Sequence, residues 1–114
     1  MAEMRGLLVA CAIVAFLAVL GSLGFALGSG VEVNVSQKGR AFMPASIEIN
    51  KGDTLSIHND DEYIHQVFVA SPSFNFDSGE QGVGQTVNIT FPAAGTFQVL
   101  CAIHPKMRLD VIVK

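Results

Sequence analysis

The chain has 114 residues, a formal net charge of −3 and a hydrophobic fraction of 50%. This length limits it to one folded domain, and the mild acidity argues against a nucleic-acid-binding protein, which would need a basic stripe. Residues 1–30 hold 21 of the hydrophobic residues, so the excess belongs to that segment, and residues 31–114 have ordinary globular composition. Cys101 is the only cysteine beyond the segment, which excludes a disulfide within the domain and leaves a free thiol or a ligand.

The first predicted element is an apolar helix over residues 1–28. A charged start, a run over residues 7–20 without a polar side chain, and an exit rich in small residues are typical of a secretory signal peptide, with cleavage expected after Ala26 or Gly28. The alternative is an uncleaved membrane anchor, because about 20 apolar residues are enough to span a bilayer. Both interpretations export the domain of residues 31–114, to the periplasm or to the outer face of the cytoplasmic membrane.

Beyond residue 30, short β-rich runs separated by turn clusters predict strands. Apolar and polar residues alternate in the runs 31–35, 47–49 and 86–91, while residues 67–69 are apolar throughout, which indicates a strand buried on both faces. The stretch 71–85, with three glycines, is typical of a long surface loop. About seven short strands predict an all-β domain, an antiparallel sandwich or barrel.

The string Cys101-Ala102-Ile103-His104-Pro105-Lys106-Met107 carries the most specific chemistry of the chain. It places a thiolate, an imidazole and a thioether three residues apart in a loop between two predicted strands. One cysteine and two histidines, with a weak axial methionine, form the ligand set of a blue-copper centre. His65, just before the apolar run 67–69, is the candidate for the second imidazole. The predicted ligands of one type 1 copper ion are therefore His65, Cys101, His104 and Met107.

This pattern resembles the cupredoxins, closest to their amicyanin and plastocyanin branch, and the short Cys-x-x-His-x-x-Met loop is similar to that of amicyanin. Residues 42–54 resemble the family's strand and Gly-Asp turn, residues 59–65 resemble the segment that bears its first histidine ligand, and residues 91–97 resemble the run into its cysteine. The resemblance implies a Greek-key β-sandwich over residues 31–114. It also implies electron transfer as the activity, with His104 as the ligand edge exposed to redox partners.

Two positions depart from the family's pattern. The family usually carries an asparagine after the first histidine, where this chain has Gln66, and it favours a glycine two residues after the methionine, where this chain has Leu109. The residues around the ligands orient them and tune the metal. The family's reduction potential is therefore not transferable to this chain.

Other polar residues near the predicted ligands have simpler interpretations. His58 is expected on a strand with its ring toward solvent, and Met43 is expected to pack in the core. The acidic run Asp60, Asp61 and Glu62 is either a recognition patch for a partner or a solvated turn, and the turn is favoured because acidic residues there need no further explanation.

The sequence favours a monomeric carrier of single electrons, without enzymatic activity, that meets redox partner proteins outside the cytoplasm. The alternative is an exported protein for copper delivery or storage. A cysteine hydrolase using Cys101 and His104 is disfavoured, because both residues lie on one tight loop and Met107 would have no role. The three histidines of the chain are too few for the additional copper centres of a multicopper oxidase.

Overall fold

The computed structural model describes residues 30–114, and the predicted apolar helix and its cleavage positions within residues 1–28 lie outside the described residues. No helix within residues 30–114 is long and apolar enough to cross a membrane. The described part of the chain is built from strands, turns and loops, which confirms the predicted all-β class.

Nine strands follow one another along the described residues and form two sheets. One sheet has the order β2-β1-β4-β7 and the other has the order β3-β9-β8-β5-β6. The strands are β1 (Glu32–Gln37), β2 (Phe42–Met43), β3 (Ser46–Ile49), β4 (Thr54–Asn59), β5 (His65–Ala70), β6 (Asn75–Gln81), β7 (Thr86–Thr90), β8 (Gly95–Leu100) and β9 (Arg108–Val113).

The predicted sandwich is confirmed and most neighbouring strands pair antiparallel, but both sheets are mixed, because two pairs of strands are parallel. Strand β1 runs parallel to β4, with Glu32 opposite Thr54, and β3 runs parallel to β9, with Ser46 opposite Asp110. The chain leaves the first sheet after β2, adds β3 to the second sheet and returns as β4 beside β1 in the same direction. Alternation of apolar residues reports which face of a strand is buried and carries no information on its direction.

The stretch predicted to be a surface loop contains β6, which pairs with β5 at the edge of the five-stranded sheet. The pairing shifts register between Gln66 and Phe68, so that Ser78 and Gly79 together lie opposite Val67, and Gly79 has a φ of 66°. A glycine at such a bulge supplies a backbone conformation that other residues rarely adopt. The polar composition of β6 therefore reflects an exposed edge strand.

The core lies between the two sheets and is continuous from one end of the sandwich to the other. Val67 and Val69 are buried, while Phe68 points to the other face of its sheet and is only half-buried, so the prediction of a strand buried on both faces was wrong. At one end of the core the rings of Phe74, Phe91 and Phe97 lie 5.3 to 6.1 Å apart. Such aromatic contacts stabilise the packing beyond the area they bury.

The opposite end of the sandwich, here called the His65 end, is where four connections meet: 38–41, 60–64, 82–85 and 101–107. Gln37 of β1 pairs with Asn59 of β4, and His65 of β5 pairs with Gln81 of β6, so both sheets end at this level. The His65 end therefore brings together segments that are distant in the sequence and holds each of them on a strand terminus.

Candidate metal centre

Three of the four predicted ligands converge at the His65 end. His65 opens β5, Cys101 directly follows β8, and His104 lies in the loop between β8 and β9. The two Nδ1 atoms of the histidines are 3.1 Å apart, and the Sγ atom of Cys101 lies 4.0 Å from that of His65 and 3.9 Å from that of His104. Two imidazole nitrogens and one thiol sulfur thus form a compact triangle that is able to hold a metal ion.

The size of this triangle fits one metal ion. A point equidistant from the three donor atoms lies about 2.1 Å from each of them, within the roughly 2.0–2.3 Å of metal–nitrogen and metal–sulfur bonds in zinc proteins. A soft thiolate with two imidazoles in trigonal arrangement is the equatorial donor set of blue-copper sites. The residues present therefore fit copper.

The three donors differ in their exposure to solvent. His65 is 0% exposed and Cys101 is 1% exposed, whereas His104 is only half-buried. Burial is the main cause that lowers the pKa of His104. Electrostatic repulsion from nearby His65 and Arg40 lowers it further, and the negative charge of Asp61 partly opposes this shift. The lowered pKa keeps the His104 ring neutral, and hence able to act as a ligand, at a lower pH than an ordinary histidine.

Asp61 fixes the orientation of the His65 ring. Its Oδ2 atom lies 3.0 Å from Nε2 of His65, and a carboxylate only accepts hydrogen bonds, so Nε2 carries the proton and Nδ1 keeps its lone pair for the metal. The carboxylate also accepts the backbone N–H groups of Arg40, at 2.8 Å, and Glu62, at 3.0 Å. Chiefly the hydrogen bond from Arg40 lowers the pKa of Asp61 to about 2.

The interpretation of the acidic run as a solvated turn was therefore wrong for one of its three members. Asp61 is 6% exposed and belongs to the site, while Asp60 is half-exposed and Glu62 is exposed. Sequence reasoning did not find this role, although the separation of four residues between an acidic residue and a candidate histidine ligand was a usable signal. Carboxylates commonly take the second ring nitrogen of a metal-binding histidine.

Asn59, to which the sequence analysis gave no role of its own, connects two of the loops. Its buried amide donates to the carbonyl oxygens of Tyr63, Gln81 and Gly82, at 2.8 to 3.3 Å, while its Oδ1 atom accepts the N–H of Asp61. These bonds join the segment that carries Asp61 to the end of β6. Asn59, which lies at the end of β4, thus helps to set the position of Asp61, the hydrogen-bond partner of His65.

Met107, the fourth predicted ligand, is 1% exposed at the end of the loop that carries Cys101 and His104. Its backbone N–H donates to the carbonyl oxygen of His104 at 2.9 Å and closes a turn within the loop. Met107 and His104 also line the same surface pocket of about 340 Å³. The structure therefore places Met107 beside the loop histidine, and its role as the axial ligand stays a prediction.

The chain matches the family described as copper binding proteins of the plastocyanin/azurin type over residues 29–114. The match covers the whole sandwich. The protein belongs to this family of cupredoxins. Copper is accordingly its cofactor, as predicted, and the triangle of donor atoms is the possible site.

Relatives and solved structures agree with this assignment to the cupredoxins. The methylamine utilization protein MauL of Methylophilus methylotrophus is 35% identical over 75 residues, which cover 63% of this chain and 43% of that relative, so the chain spans less than half its length. A reduced variant of amicyanin is 25% identical with a TM-score of 0.65, and the match covers 78% of this chain and 85% of the amicyanin. The predicted resemblance to the amicyanin branch is thus confirmed.

Two further solved structures share the fold. The copper-containing nitrite reductase of Thermus scotoductus SA-01 is 28% identical with a TM-score of 0.67, over 73% of this chain and 22% of the reductase. A purple cupredoxin from Nitrosopumilus maritimus is 20% identical with a TM-score of 0.65, over 72% of this chain and 99% of that protein, and it shows the fold alone.

The two departures from the cupredoxin pattern have distinct places in the structure. Gln66 lies in β5, where its backbone N–H points to Sγ of Cys101 at 3.4 Å and its side chain donates to Asp77 at 2.8 Å. The Gln66 side chain therefore binds the edge strand β6 and not the cysteine loop. Leu109 is fully buried in β9 opposite Val99, where it fills the core beneath the loop.

Of the two remaining sequence predictions, for His58 and Met43, the first is confirmed and the second is wrong. His58 is half-exposed, with Nδ1 at 2.6 Å from the hydroxyl of Thr86, and lies outside the donor triangle, as expected. Met43 is 57% exposed, so the prediction that it packs in the core was wrong. Strand β2 has two residues that face opposite sides, and Phe42 takes the inward position.

The lowered pKa of Asp61 predicts a loss of stability in acid. Because its folded-state pKa, about 2, lies below the ordinary value of 3.8, the carboxylate stabilises the fold above about pH 4 and ceases to do so as the pH falls toward 2. Urea unfolding of the copper-free protein should show the free energy of unfolding falling by about 1–2 kcal/mol more over this range than in an Asp61→Asn variant. Equal acid dependence in the two proteins would contradict the role given to Asp61.

Proposed function

We propose that the protein is a type 1 copper protein that carries single electrons between redox partners outside the cytoplasm. The observation that carries the proposal is the convergence of two imidazole nitrogens and one thiol sulfur on a point about 2.1 Å from each. His65, Cys101 and His104 would hold the copper, with Met107 as a weak fourth ligand. Bound copper would supply reversible one-electron exchange between Cu(I) and Cu(II).

The contribution of the chain is to hold the donors in one arrangement. His65 and Cys101 lie on the ends of β5 and β8, which belong to the same sheet, and the N–H of Gln66 contacts the sulfur of Cys101. Asp61 fixes the tautomer and ring orientation of His65. Because close-packed interiors resist displacement, the donor atoms would move little when the oxidation state changes, and electron exchange would need little rearrangement.

His104 offers the route to a partner. It is the half-buried member of the triangle, and the exposed apolar side chains of Tyr63 and Ile103 lie beside it, with Tyr63 at 6.1 Å between ring centroids. An apolar rim around a partly exposed ligand suits brief contact with redox partner proteins. The same proposal includes export through residues 1–28, as a cleaved signal or a retained anchor. It also places the protein as a monomer in the periplasm or at the outer face of the cytoplasmic membrane.

As an electron carrier, the protein is not an enzyme. Cys101 is 1% exposed, so a substrate carbonyl would not reach its sulfur as a cysteine hydrolase requires. The nitrite reductase match covers only 22% of that enzyme, and nitrite reduction is therefore not carried over to this chain.

Repeated redox cycling of the copper-loaded protein separates the carrier from copper delivery or storage. A carrier is expected to bleach with ascorbate and recover its colour with ferricyanide over many cycles, because buried His65 and Cys101 keep the metal in place. A Cu(I)-specific chelator added to the reduced protein should then remove copper slowly. Transfer of copper to the chelator as fast as mixing would contradict the carrier and favour delivery.

A further inference from the structure

The turn between β1 and β2 contains a residue in an uncommon conformation. Lys38 and Ala41 exchange two backbone hydrogen bonds, of 3.0 and 3.2 Å, across Gly39 and Arg40. Both central residues have positive φ, 61° for Gly39 and 54° for Arg40. Glycine, asparagine and aspartate are the residues favoured at such positions, and an arginine there is uncommon.

Arg40 makes two contacts outside the turn, one through its backbone and one through its side chain. Its backbone N–H donates to Oδ2 of Asp61 at 2.8 Å. Its guanidinium carbon lies 4.2 Å from the centre of the Tyr63 ring, within the range of a cation–π interaction. The first contact would persist with any residue other than proline at this position, whereas the second requires a cationic side chain.

Each contact leads to a different histidine of the donor triangle. Asp61 holds Nε2 of His65 at 3.0 Å, and the ring of Tyr63 meets that of His104 in an edge-on arrangement at 6.1 Å and 66°. The two histidine rings are in turn 4.9 Å apart. Arg40, which lies in a turn without a predicted ligand, is thus connected to both imidazoles.

We propose that Arg40 is a positioning residue for both histidines, through Asp61 for His65 and through Tyr63 for His104, and that its charge favours the reduced state of the site. This inference rests on the proposed function. The oxidised site carries one positive charge more than the reduced site, so a nearby cation disfavours the oxidised form. Between partly exposed charges this effect amounts to roughly a two- to fivefold change in the ratio of reduced to oxidised protein.

Variants at position 40 separate the backbone contact from the charge and the stacking. Arg40→Gln keeps the N–H to Asp61 but removes the cation over Tyr63, and Arg40→Lys keeps the charge without the planar group. Lys38→Gln is the matched control, because Lys38 belongs to the same turn and donates to the carbonyl oxygen of Asp60. The control removes the same charge but leaves the Arg40–Tyr63 contact in place.

The first measurement uses the copper-free protein. Tyr63 is the only tyrosine of the chain, which has no tryptophan, so the tyrosine emission reports on this ring alone. Arg40→Gln is expected to raise the quenching of this emission by acrylamide, because one face of the ring loses its cover, while Lys38→Gln should leave it at the parent value. Parent-like quenching in Arg40→Gln would show that the stack is absent in solution and overturn the inference.

The second measurement uses the copper-loaded protein, equilibrated with a redox buffer of fixed potential. The ratio of reduced to oxidised protein should fall roughly two- to fivefold in Arg40→Gln and stay nearer the parent value in Arg40→Lys and Lys38→Gln. An unchanged ratio in Arg40→Gln, or an equal change in Lys38→Gln, would overturn the inference. A parent protein that forms no blue site would instead contradict the proposed function, while the tyrosine measurement would still test the contact.

Discussion

A Cys101→Ser variant is expected to lose the intense visible absorption of the copper-loaded protein entirely while keeping the β-sandwich. The colour of a blue-copper site comes from charge transfer between a cysteine thiolate and Cu(II), which a serine hydroxyl does not provide. The fold should tolerate the change, because Cys101 is buried without a disulfide among the described residues and a serine oxygen is able to accept the N–H of Gln66 that now points to the sulfur.

Visible absorption and circular dichroism of the Cys101→Ser variant, each recorded with and without Cu(II), measure these two effects separately. His58→Ala is the control, since it removes a histidine of the same chain that lies outside the donor triangle and should leave the colour intact. A Cys101→Ser protein that stays blue would exclude the cysteine as the ligand.

Asp61→Ala is the second change with a large expected effect. It removes the acceptor for His65 Nε2 and for the backbone N–H groups of Arg40 and Glu62, and so leaves one buried donor and two partly buried donors without this partner. The free energy of unfolding of the copper-free protein should fall by about 1–3 kcal/mol. Copper affinity should fall roughly 10- to 100-fold, because the His65 ring loses the contact that orients it.

Asp60→Ala provides the matched control for Asp61→Ala. Asp60 is the neighbouring carboxylate, it is half-exposed, and its side chain contacts Ser36 and His58 instead of the donor triangle. Urea unfolding and competition for copper against a chelator of known affinity measure both quantities in the two variants. Equal losses of stability and copper affinity in Asp60→Ala and Asp61→Ala would show that removing any nearby negative charge has the same effect. This result would contradict the specific role of Asp61.

The strand content and the pair formed by Cys101 and His104 were predictable because each depends on local patterns, and His65 was a candidate from its place before an apolar run. The spacing of Cys101 and His104 in one short loop limits how far their side chains separate, and His65 precedes a run whose Val67 and Val69 are buried. The direction of the strands was not predictable in the same way. Residues 32–37 and 54–59 alternate equally well in parallel and antiparallel sheets, and only the crossover through β2 and β3 makes β1 and β4 parallel.

The surroundings of the triangle depend on contacts between loops, which periodicity does not encode. Asp61 was read as a solvated residue because neighbouring aspartates are common in turns, yet the backbone N–H of Arg40, 21 residues away, meets its carboxylate. The edge strand β6 was interpreted as part of a loop because residues 71–85 hold three glycines and the aromatics Phe74 and Phe76 alternate for only a few residues. In each case the sequence did not show which distant segment makes the contact, Arg40 for Asp61 and β5 for β6.

Titration of the protein with Cu(II), followed by its visible spectrum, tests the central claim most directly. We expect a strong band at roughly 600 nm that saturates at one equivalent of copper and disappears on reduction, as a thiolate with two imidazoles in trigonal arrangement produces. Copper that binds without a strong band in this region, or a band that keeps growing beyond one equivalent, would contradict a single type 1 site built from His65, Cys101 and His104.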